Sequence, residues 1–113
     1  MVHAPSVETG YHGQPYLCNE FGGFMYIAPE RRGECNRWGY HGLDLQTPAE
    51  WAEKIREQIR FLITTPEIGG YCYTQLTDVE QEQNGIYHFD RSKKCDMAEI
   101  REIFSEKPDW SEY

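Results

Sequence analysis

One carboxylate in the sequence stands where a parallel strand would present it for chemistry. Residues 14–23 read QPYLCNEFGG, an apolar run that ends in Glu20 and is followed by two glycines. Proline is tolerated at the first residue of a strand, and consecutive glycines let the chain turn away sharply. In a parallel α/β fold the carboxyl end of a strand carries the active site. Glu20 is therefore a candidate catalytic residue, and the alternative is a strand-terminal surface acid with no chemical role.

The elements that would position Glu20 begin with a strand over about residues 16–20 and a well-marked helix. Thr47, Pro48 and Glu50 have the pattern of a capping box with proline at the first helical position. The helix is predicted to run to about Ile63, because apolar residues recur at helical spacing. These residues are Trp51, Ala52, Ile55, Ile59, Leu62 and Ile63.

A second strand and helix follow. Residues 68–76 are mostly β-forming without strict alternation, which is typical of a strand covered on both faces. Asn84-Gly85 is a dipeptide typical of tight turns, and residues 86–90 are predicted to return as a short extended segment. The last helix is predicted to start at Asp96, with Glu99 completing another capping box.

The order of elements predicts an α/β fold made of two consecutive βα units. Parallel pairing with a right-handed crossover is the expected geometry. Two such units are about a quarter of an eight-stranded barrel, which typically takes ~250 residues. Residues 1–13 are predicted to be a loop or disordered tail, and residues 14–113 the folded portion. Because only two helices are available to cover two buried strands, we expect much of the core to lie outside this chain.

Composition limits the classes of partner. The chain has 113 residues, enough for one domain, and a formal charge of −8 with no basic run. Nucleic acid and anionic membranes are therefore excluded as expected partners, while a neutral ligand such as a sugar is compatible. The sequence shows no signal peptide and no apolar run of the roughly 20 residues that a membrane helix needs, which favours a cytoplasmic location.

The cysteines and histidines do not predict a metal site. Cys18, Cys35, Cys72 and Cys95 have spacings that match no zinc signature, and the four histidines are scattered. Cys18 and Cys72 fall in predicted strands, so we interpret them as small buried hydrophobic residues in a reducing compartment. We expect no structural metal and no cofactor.

Three stretches together resemble a known family. They are residues 14–23, Trp38-Gly39-Tyr40, and residues 70–85, which read GYCYTQLTDVEQEQNG. They resemble the C-terminal part of the catalytic barrel of glycoside hydrolase family 2, the β-galactosidase and β-glucuronidase family, and the likeness covers about residues 12–107. The resemblance implies a fragment of a (β/α)8 TIM barrel, with strands seven and eight and their helices.

The resemblance also implies a role for Glu20. It would be the nucleophile of a retaining β-glycosidase that hydrolyses O-glycosyl bonds in carbohydrate metabolism. An Asn-Glu pair in this family more often marks the acid/base, but Phe21-Gly22-Gly23 resembles the nucleophile strand and only one further βα unit follows. Retaining hydrolysis needs a second carboxyl ~5 Å away, and no residue here matches the family's acid/base. We therefore expect the isolated chain to be inactive. The loop acids are interpreted as solvated: Glu30, Glu34, Glu80 and Glu82.

Four further residues are candidates for binding the carbohydrate substrate. Trp38 and Tyr40 would stack on a sugar face, or would instead belong to a lid that packs on the barrel. Gln75 and Asp78 leave the second strand at the catalytic edge and could hydrogen-bond sugar hydroxyls. The other polar residues of that loop, Glu80, Glu82 and Asn84, are predicted to be structural.

The alternative from another functional class is a non-catalytic sugar-binding or interaction module derived from a barrel end. In either case we expect the chain to expose apolar strand edges and helix faces. Such surfaces recruit partners, so self-association as a homodimer is predicted.

Overall fold

The computed structural model describes residues 12–31 and 45–108, which form a two-stranded parallel sheet and two helices. The elements are β1 (Tyr16–Gly22), α1 (Pro48–Ile63), β2 (Ile68–Thr74) and α2 (Met97–Ser105), with a short 3-10 helix at Pro29–Arg31. β1 and β2 pair in parallel. The mixed α/β class and the order of two consecutive βα units are therefore confirmed.

Helix α1 begins where its local sequence predicts. The Thr47 hydroxyl accepts a hydrogen bond from the Glu50 N–H at 3.1 Å, and the Glu50 carboxylate accepts one from the Thr47 N–H at 3.2 Å. This reciprocal capping box satisfies two amides that a helix start leaves unpaired. The apolar face of α1 is fully buried at Trp51, Ala52, Ile55, Ile59 and Leu62.

The beginning of the loop after β1 packs against α1. The Trp51 indole N–H donates to the Phe24 carbonyl at 3.1 Å, and the rings of Tyr26 and Trp51 lie 6.2 Å apart. Phe24 and Tyr26 are both buried. These contacts fix the direction in which the chain leaves β1.

The helices cover one face of the sheet. Phe21 of β1 makes edge contacts with Tyr71 and Tyr73 of β2, each at 5.3 Å between ring centroids, and Phe104 of α2 packs on Tyr73 at 5.6 Å. Cys18 lies on the same face and is buried, as predicted.

The opposite face of the sheet is uncovered in the described part of the chain. Leu17 is 61 % exposed and Cys72 is also exposed. The predictions that β2 is covered on both faces and that Cys72 is buried are therefore wrong for the described residues. The physical reason is alternation: Cys72 points away from Tyr71 and Tyr73, and none of the described elements packs on its side.

Helix α2 is capped by one side chain. The Asp96 carboxylate accepts a hydrogen bond from the Ala98 N–H at 2.9 Å, so the predicted N-cap is confirmed. Glu99 was predicted to complete a capping box, but its carboxylate faces the Arg56 guanidinium of α1 at 4.0 Å. A cross-helix ion pair has taken the place of the local contact.

The β2–α2 segment, residues 75–95, folds back on the end of β2. The Ile86 N–H donates to the Gln75 carbonyl and the Tyr87 N–H to the Leu76 carbonyl, both at 3.0 Å. Residues 86 and 87 thus return alongside residues 75–77, just beyond the end of β2, although the isolated bridge between Tyr87 and Thr77 is parallel. The peptide bond between Thr74 and Gln75 is cis.

One tight turn of this segment lies around Glu80 rather than at Asn84-Gly85, and a second lies at residues 88–91, where the Arg91 N–H donates to the His88 carbonyl at 2.9 Å. Val79 and Glu82 exchange two backbone hydrogen bonds, of 3.0 and 2.9 Å, around Glu80, whose φ is 50°. Gly85 is needed for a different reason, since a Cβ there would lie 2.3 Å from the Asp78 nitrogen. The glycine permits two stretches of backbone to touch, so the turn prediction is corrected to residues 79–82.

Candidate functional site

Glu20 lies in a β-bulge of β1. Cys18 pairs with Tyr71 and Phe21 with Tyr73, so three steps along β1 match two along β2. The extra residue allows Cys18 and Phe21 both to face the core, and it leaves Asn19 and Glu20 both exposed. The Cys18 thiol, 3.5 Å from the Glu20 carbonyl, hydrogen-bonds across the bulge. Bulges are frequent beside active sites because they re-aim a side chain.

The carboxylate of Glu20 is accessible. Within the described residues it makes no hydrogen bond or ion pair, and neither helix covers it. Two residues later the chain turns at Gly22, whose φ is 109° and where a Cβ would lie 2.6 Å from the Tyr73 ring. The strand therefore ends close to Glu20 and the backbone leaves the sheet there. An exposed carboxylate without a partner can act as a nucleophile or accept a proton.

Gln75 lies directly after β2, and its side chain hydrogen-bonds to other residues of the β2–α2 segment. Its amide N–H groups donate to the Asn84 side-chain oxygen at 3.2 Å and to the Glu82 carbonyl at 3.4 Å. Asn84 in turn donates to the Glu82 carboxylate at 3.4 Å. These bonds agree with the structural role predicted for Glu82 and Asn84, and they correct the interpretation of Glu82 as a solvated loop acid. The sugar-binding role of Gln75 stays a prediction.

Asp78 is buried, only 4 % exposed, rather than displayed at the sheet edge. Its Oδ1 accepts hydrogen bonds from the Gly85 N–H at 2.8 Å and from the Lys94 ammonium at 2.7 Å, and its Oδ2 is 3.8 Å from His88 Nδ1. A sugar hydroxyl would have to displace these partners. The substrate-binding role of Asp78 stays a prediction, and the structure gives this carboxylate an internal role.

The partners of Asp78 were missed by sequence reasoning. Lys93 and Lys94 are adjacent lysines, and only the second is buried. Nothing in the local sequence distinguishes them. The only sequence feature that could have indicated a partner for Asp78 is Gly85. A glycine allows two stretches of backbone to pack closely, and its buried N–H then needs an acceptor, which here is the Asp78 carboxylate.

The cluster of Asp78, His88 and Lys94 has perturbed ionisation. Burial lowers the pKa of Lys94, and the hydrogen bond and charge of Asp78 oppose that shift. Burial also lowers the pKa of His88, helped by the Lys94 and Arg31 cations and opposed by Asp78 and Asp90. Desolvation disfavours the charged form of a basic group, which explains both directions.

Hydrogen bonds also connect the 3-10 helix after β1 to the β2–α2 segment. The Arg31 guanidinium donates to the Asp90 carboxylate and to the Ser92 hydroxyl, each at 3.0 Å. Hydrogen bonds from Ser92 and then the Arg31 cation hold the pKa of Asp90 well below its usual range. The pair is exposed, so its main effect is to fix the relative position of two loops.

Other predicted site residues lie elsewhere or outside the described residues. Trp38 and Tyr40, with Glu34, fall in the part of the chain that the structure does not describe, and their roles stay predictions. Glu30 and Glu80 are exposed. Neither is held by the contacts that engage Glu82.

A cavity of about 350 Å³ lies between the end of β2, residues 86 and 87, and α2. Its lining is mainly apolar and comprises Tyr73, Leu76, Ile86, Tyr87, Met97, Ile100, Arg101 and Phe104. Glu20, Gln75 and Asp78 do not line it. The cavity is thus separate from the predicted site.

Across residues 12–31 and 45–108, no group of three or more His, Cys, Asp or Glu side chains is placed to hold a metal ion. No helix in the same ranges has the length and apolarity to cross a membrane. No protein-family model matches the chain. Comparison with curated proteins gives no significant match either, so the functional assignment depends on the residues and their geometry.

Proposed function

We propose that this chain is the C-terminal part of the catalytic barrel of a family 2 glycoside hydrolase and carries the nucleophile of a retaining β-glycosidase, Glu20. The observation that carries the proposal is the placement of Glu20. Its carboxylate is exposed, has no partner among the described residues, and stands in a bulge near the carboxyl end of a parallel strand. The resemblance of residues 14–23 and 70–85 to this family supports the choice of reaction.

The arrangement of layers supports a barrel fragment. In a (β/α)8 barrel the helices lie outside, and the inner faces of the strands pack against one another. Here the helices pack on the face with Phe21 and Tyr73, and no element within residues 12–31 and 45–108 covers the face with Leu17 and Cys72. β1 and β2 would be strands seven and eight, with their inner face completed by the other strands of the barrel.

The proposed reaction proceeds in two displacements. A Glu20 carboxylate oxygen bonds to the anomeric carbon while the bond from that carbon to the leaving oxygen breaks, and an acid protonates that oxygen. Water then attacks the glycosyl ester and releases Glu20. A second carboxyl ~5 Å from the nucleophile supplies the proton and later activates the water. Because no residue of this chain matches the family's acid/base, we propose that it lies in another part of the protein and that the chain alone does not turn over ordinary glycosides.

Covalent trapping tests the nucleophile without requiring the acid. The chain is incubated with 2-deoxy-2-fluoro β-glycosides that carry a dinitrophenolate leaving group, which departs as a stable anion. We expect one glycosyl adduct per chain, which peptide mass spectrometry assigns to Glu20. The Glu20→Gln variant should give no adduct. The Glu30→Gln variant is the matched control, since Glu30 is another exposed carboxylate of the described residues, and it should be labelled like the unchanged chain.

Labelling that persists in Glu20→Gln, or that is lost equally in Glu30→Gln, would refute the assignment of Glu20. If galactose-, glucose- and glucuronic-acid-configured reagents all leave the folded chain unlabelled, this chain does not build a competent nucleophile site by itself.

The second candidate function, a sugar-binding or interaction module, is favoured by a different observation. Several large apolar side chains are more than half exposed: Leu17, Phe61, Leu76, Val79 and Phe89. We propose that these exposed apolar side chains lead the isolated chain to self-associate as a dimer. Light scattering coupled to size exclusion should give twice the chain mass, and a concentration-independent monomer would contradict it.

A further inference from the structure

The β2–α2 segment closes around three buried titratable groups from separate positions along it. The Lys94 side chain is completely buried and its ammonium lies 2.7 Å from Asp78 Oδ1. The Lys94 ammonium also donates to the Gln83 carbonyl at 3.1 Å. His88 is 5 % exposed and its Nδ1 is 3.8 Å from the other carboxylate oxygen of Asp78. The cluster therefore connects the beginning, the middle and the end of the segment.

We propose that this cluster is an acid-sensitive clamp, in which protonation of His88 opens the β2–α2 segment while α1 and the sheet remain folded. With His88 neutral, the buried site holds one anion, Asp78, and one cation, Lys94. Protonation adds a second cation against the same carboxylate. Little solvent reaches these groups, so the excess charge is weakly screened and is best relieved by exposing His88 to water.

Charges at the edge of the cluster do not cancel this effect. Arg31 of the 3-10 helix opposes the protonation of His88, whereas Asp90 favours it. These two residues are paired with each other at 3.0 Å, so they largely offset one another. Their exposure also means that salt screens them more than it screens the buried cluster.

The remaining groups that face the cluster do not change charge near neutral pH. From β2, Tyr73 has its pKa raised by burial and by the charge of Asp78. Within the segment, burial and neighbouring carboxylates raise the pKa of Cys95 to about 11. Helix α1 contributes the uncharged ring of Trp51, whose centroid is 5.7 Å from the Lys94 ammonium. His88 is the member of this cluster whose ordinary pKa, about 6.5, lies between pH 5 and 8.

The direction of the pH effect follows from linkage. The closed segment holds the pKa of His88 below the ordinary histidine value, and the open segment restores that value, about 6.5. The open form then binds the proton more readily, so the opening equilibrium constant increases as pH falls through this value. It becomes constant once the pH is below the His88 pKa of the closed form. Between pH 7.5 and 5.5 the opening equilibrium constant should rise, by at most about tenfold.

The clamp would control the edge of the sheet near Glu20. The segment starts at Gln75, which follows Thr74, and Thr74 pairs with Gly22 at the end of β1. Opening would break the hydrogen bonds of Gln75 to Asn84 and Glu82. The inference does not depend on any catalytic role for Glu20.

Hydrogen exchange of the full chain at pH 5.5, 6.5 and 7.5, corrected for the intrinsic pH dependence of exchange, measures this opening. The hydrogen-bonded amides of residues 78–88, such as those of Asp78, Gly85 and Ile86, should show the predicted rise, whereas those of α1 should not. The His88→Gln variant cannot take up the proton, so its opening constant should be flat. His12→Gln, which removes an exposed histidine, is the matched control and should keep the rise.

Three results would overturn the clamp: a corrected change below about twofold, an equal change in α1, or a rise that persists in His88→Gln. If His88→Gln fails to fold, NMR titration of the His88 imidazole in the unchanged chain decides instead. A pKa at or above that of an exposed histidine, about 6.5, would exclude the mechanism.

Discussion

Replacing Lys94 by methionine is the most informative perturbation of this fold. Methionine keeps most of the volume of the lysine stem but removes the ammonium that pairs with Asp78. Asp78 would then keep its hydrogen bond from the Gly85 N–H and its 3.8 Å contact with His88. The substitution thus leaves a nearly uncompensated charge in a site that is 5 % exposed.

The cost can be estimated from this geometry. Removing one partner of a buried ion pair typically costs about 3–5 kcal/mol, because the other charge stays desolvated. A domain of this size has a total stability of about 5–15 kcal/mol, so Lys94→Met should remove a large share of it. The loss of the cation over the Trp51 ring acts in the same direction.

Urea unfolding at pH 7, followed by circular dichroism, provides the measurement. Lys93→Met is the matched control, since Lys93 is adjacent and exposed, and it should change the free energy of unfolding by less than about 0.5 kcal/mol. In an Asp78→Asn background, Lys94→Met should lower the free energy of unfolding by at least about 1 kcal/mol less than it does in the unchanged chain. The reason is that no unpaired carboxylate is left buried there.

A destabilisation by Lys94→Met no larger than that by Lys93→Met would contradict a buried ion pair between Lys94 and Asp78. The ion pair would also be contradicted if the cost of Lys94→Met were the same with and without the carboxylate of Asp78. Either result would mean that the ion pair is not a closed, desolvated contact in solution.

Two further substitutions test other parts of the fold. Gly85→Ala should cost about 1–3 kcal/mol or more, since the new Cβ would lie 2.3 Å from backbone atoms, whereas Gly69→Ala, with its nearest atom at 3.7 Å, should not destabilise. Comparison of their melting temperatures checks this pair, and equal melting temperatures would contradict it. Thr47→Ala should lower the free energy of unfolding by about 1 kcal/mol, because the hydroxyl that accepts from the Glu50 N–H is lost. Thr47→Ser keeps a hydroxyl and should keep most of that stability. Urea unfolding measures both, and an unchanged Thr47→Ala midpoint would argue against the cap.

Local sequence patterns predicted the helices and the order of the elements. The capping box of α1 joins residues three apart, and its apolar stripe repeats every three or four residues, so both can be read in a short window. The parallel pairing of β1 and β2 followed from the helix between them, since a βαβ connection favours that arrangement. The exposure of Glu20 near the end of its strand was also anticipated.

The features that sequence reasoning missed depend on contacts between distant residues. The bulge at Asn19 and Glu20 exists because Cys18 and Phe21 must both face the core, and this is visible only from their register with β2. Asn84-Gly85 has the composition of a turn, yet Gly85 serves a close backbone contact. Cys72 has the neighbours of a buried residue, but no described element covers its side of the sheet.

The sequence by itself determined where the helices begin, which residues form their apolar faces, and that a glutamate stands near a strand end before a glycine pair. Tertiary structure alone decided that Asp78 is a buried partner of Lys94 and that Lys93 beside it is solvated. The physical reason is desolvation: the environment of a charge depends on every atom that surrounds it in space, and most of those atoms come from elsewhere in the chain.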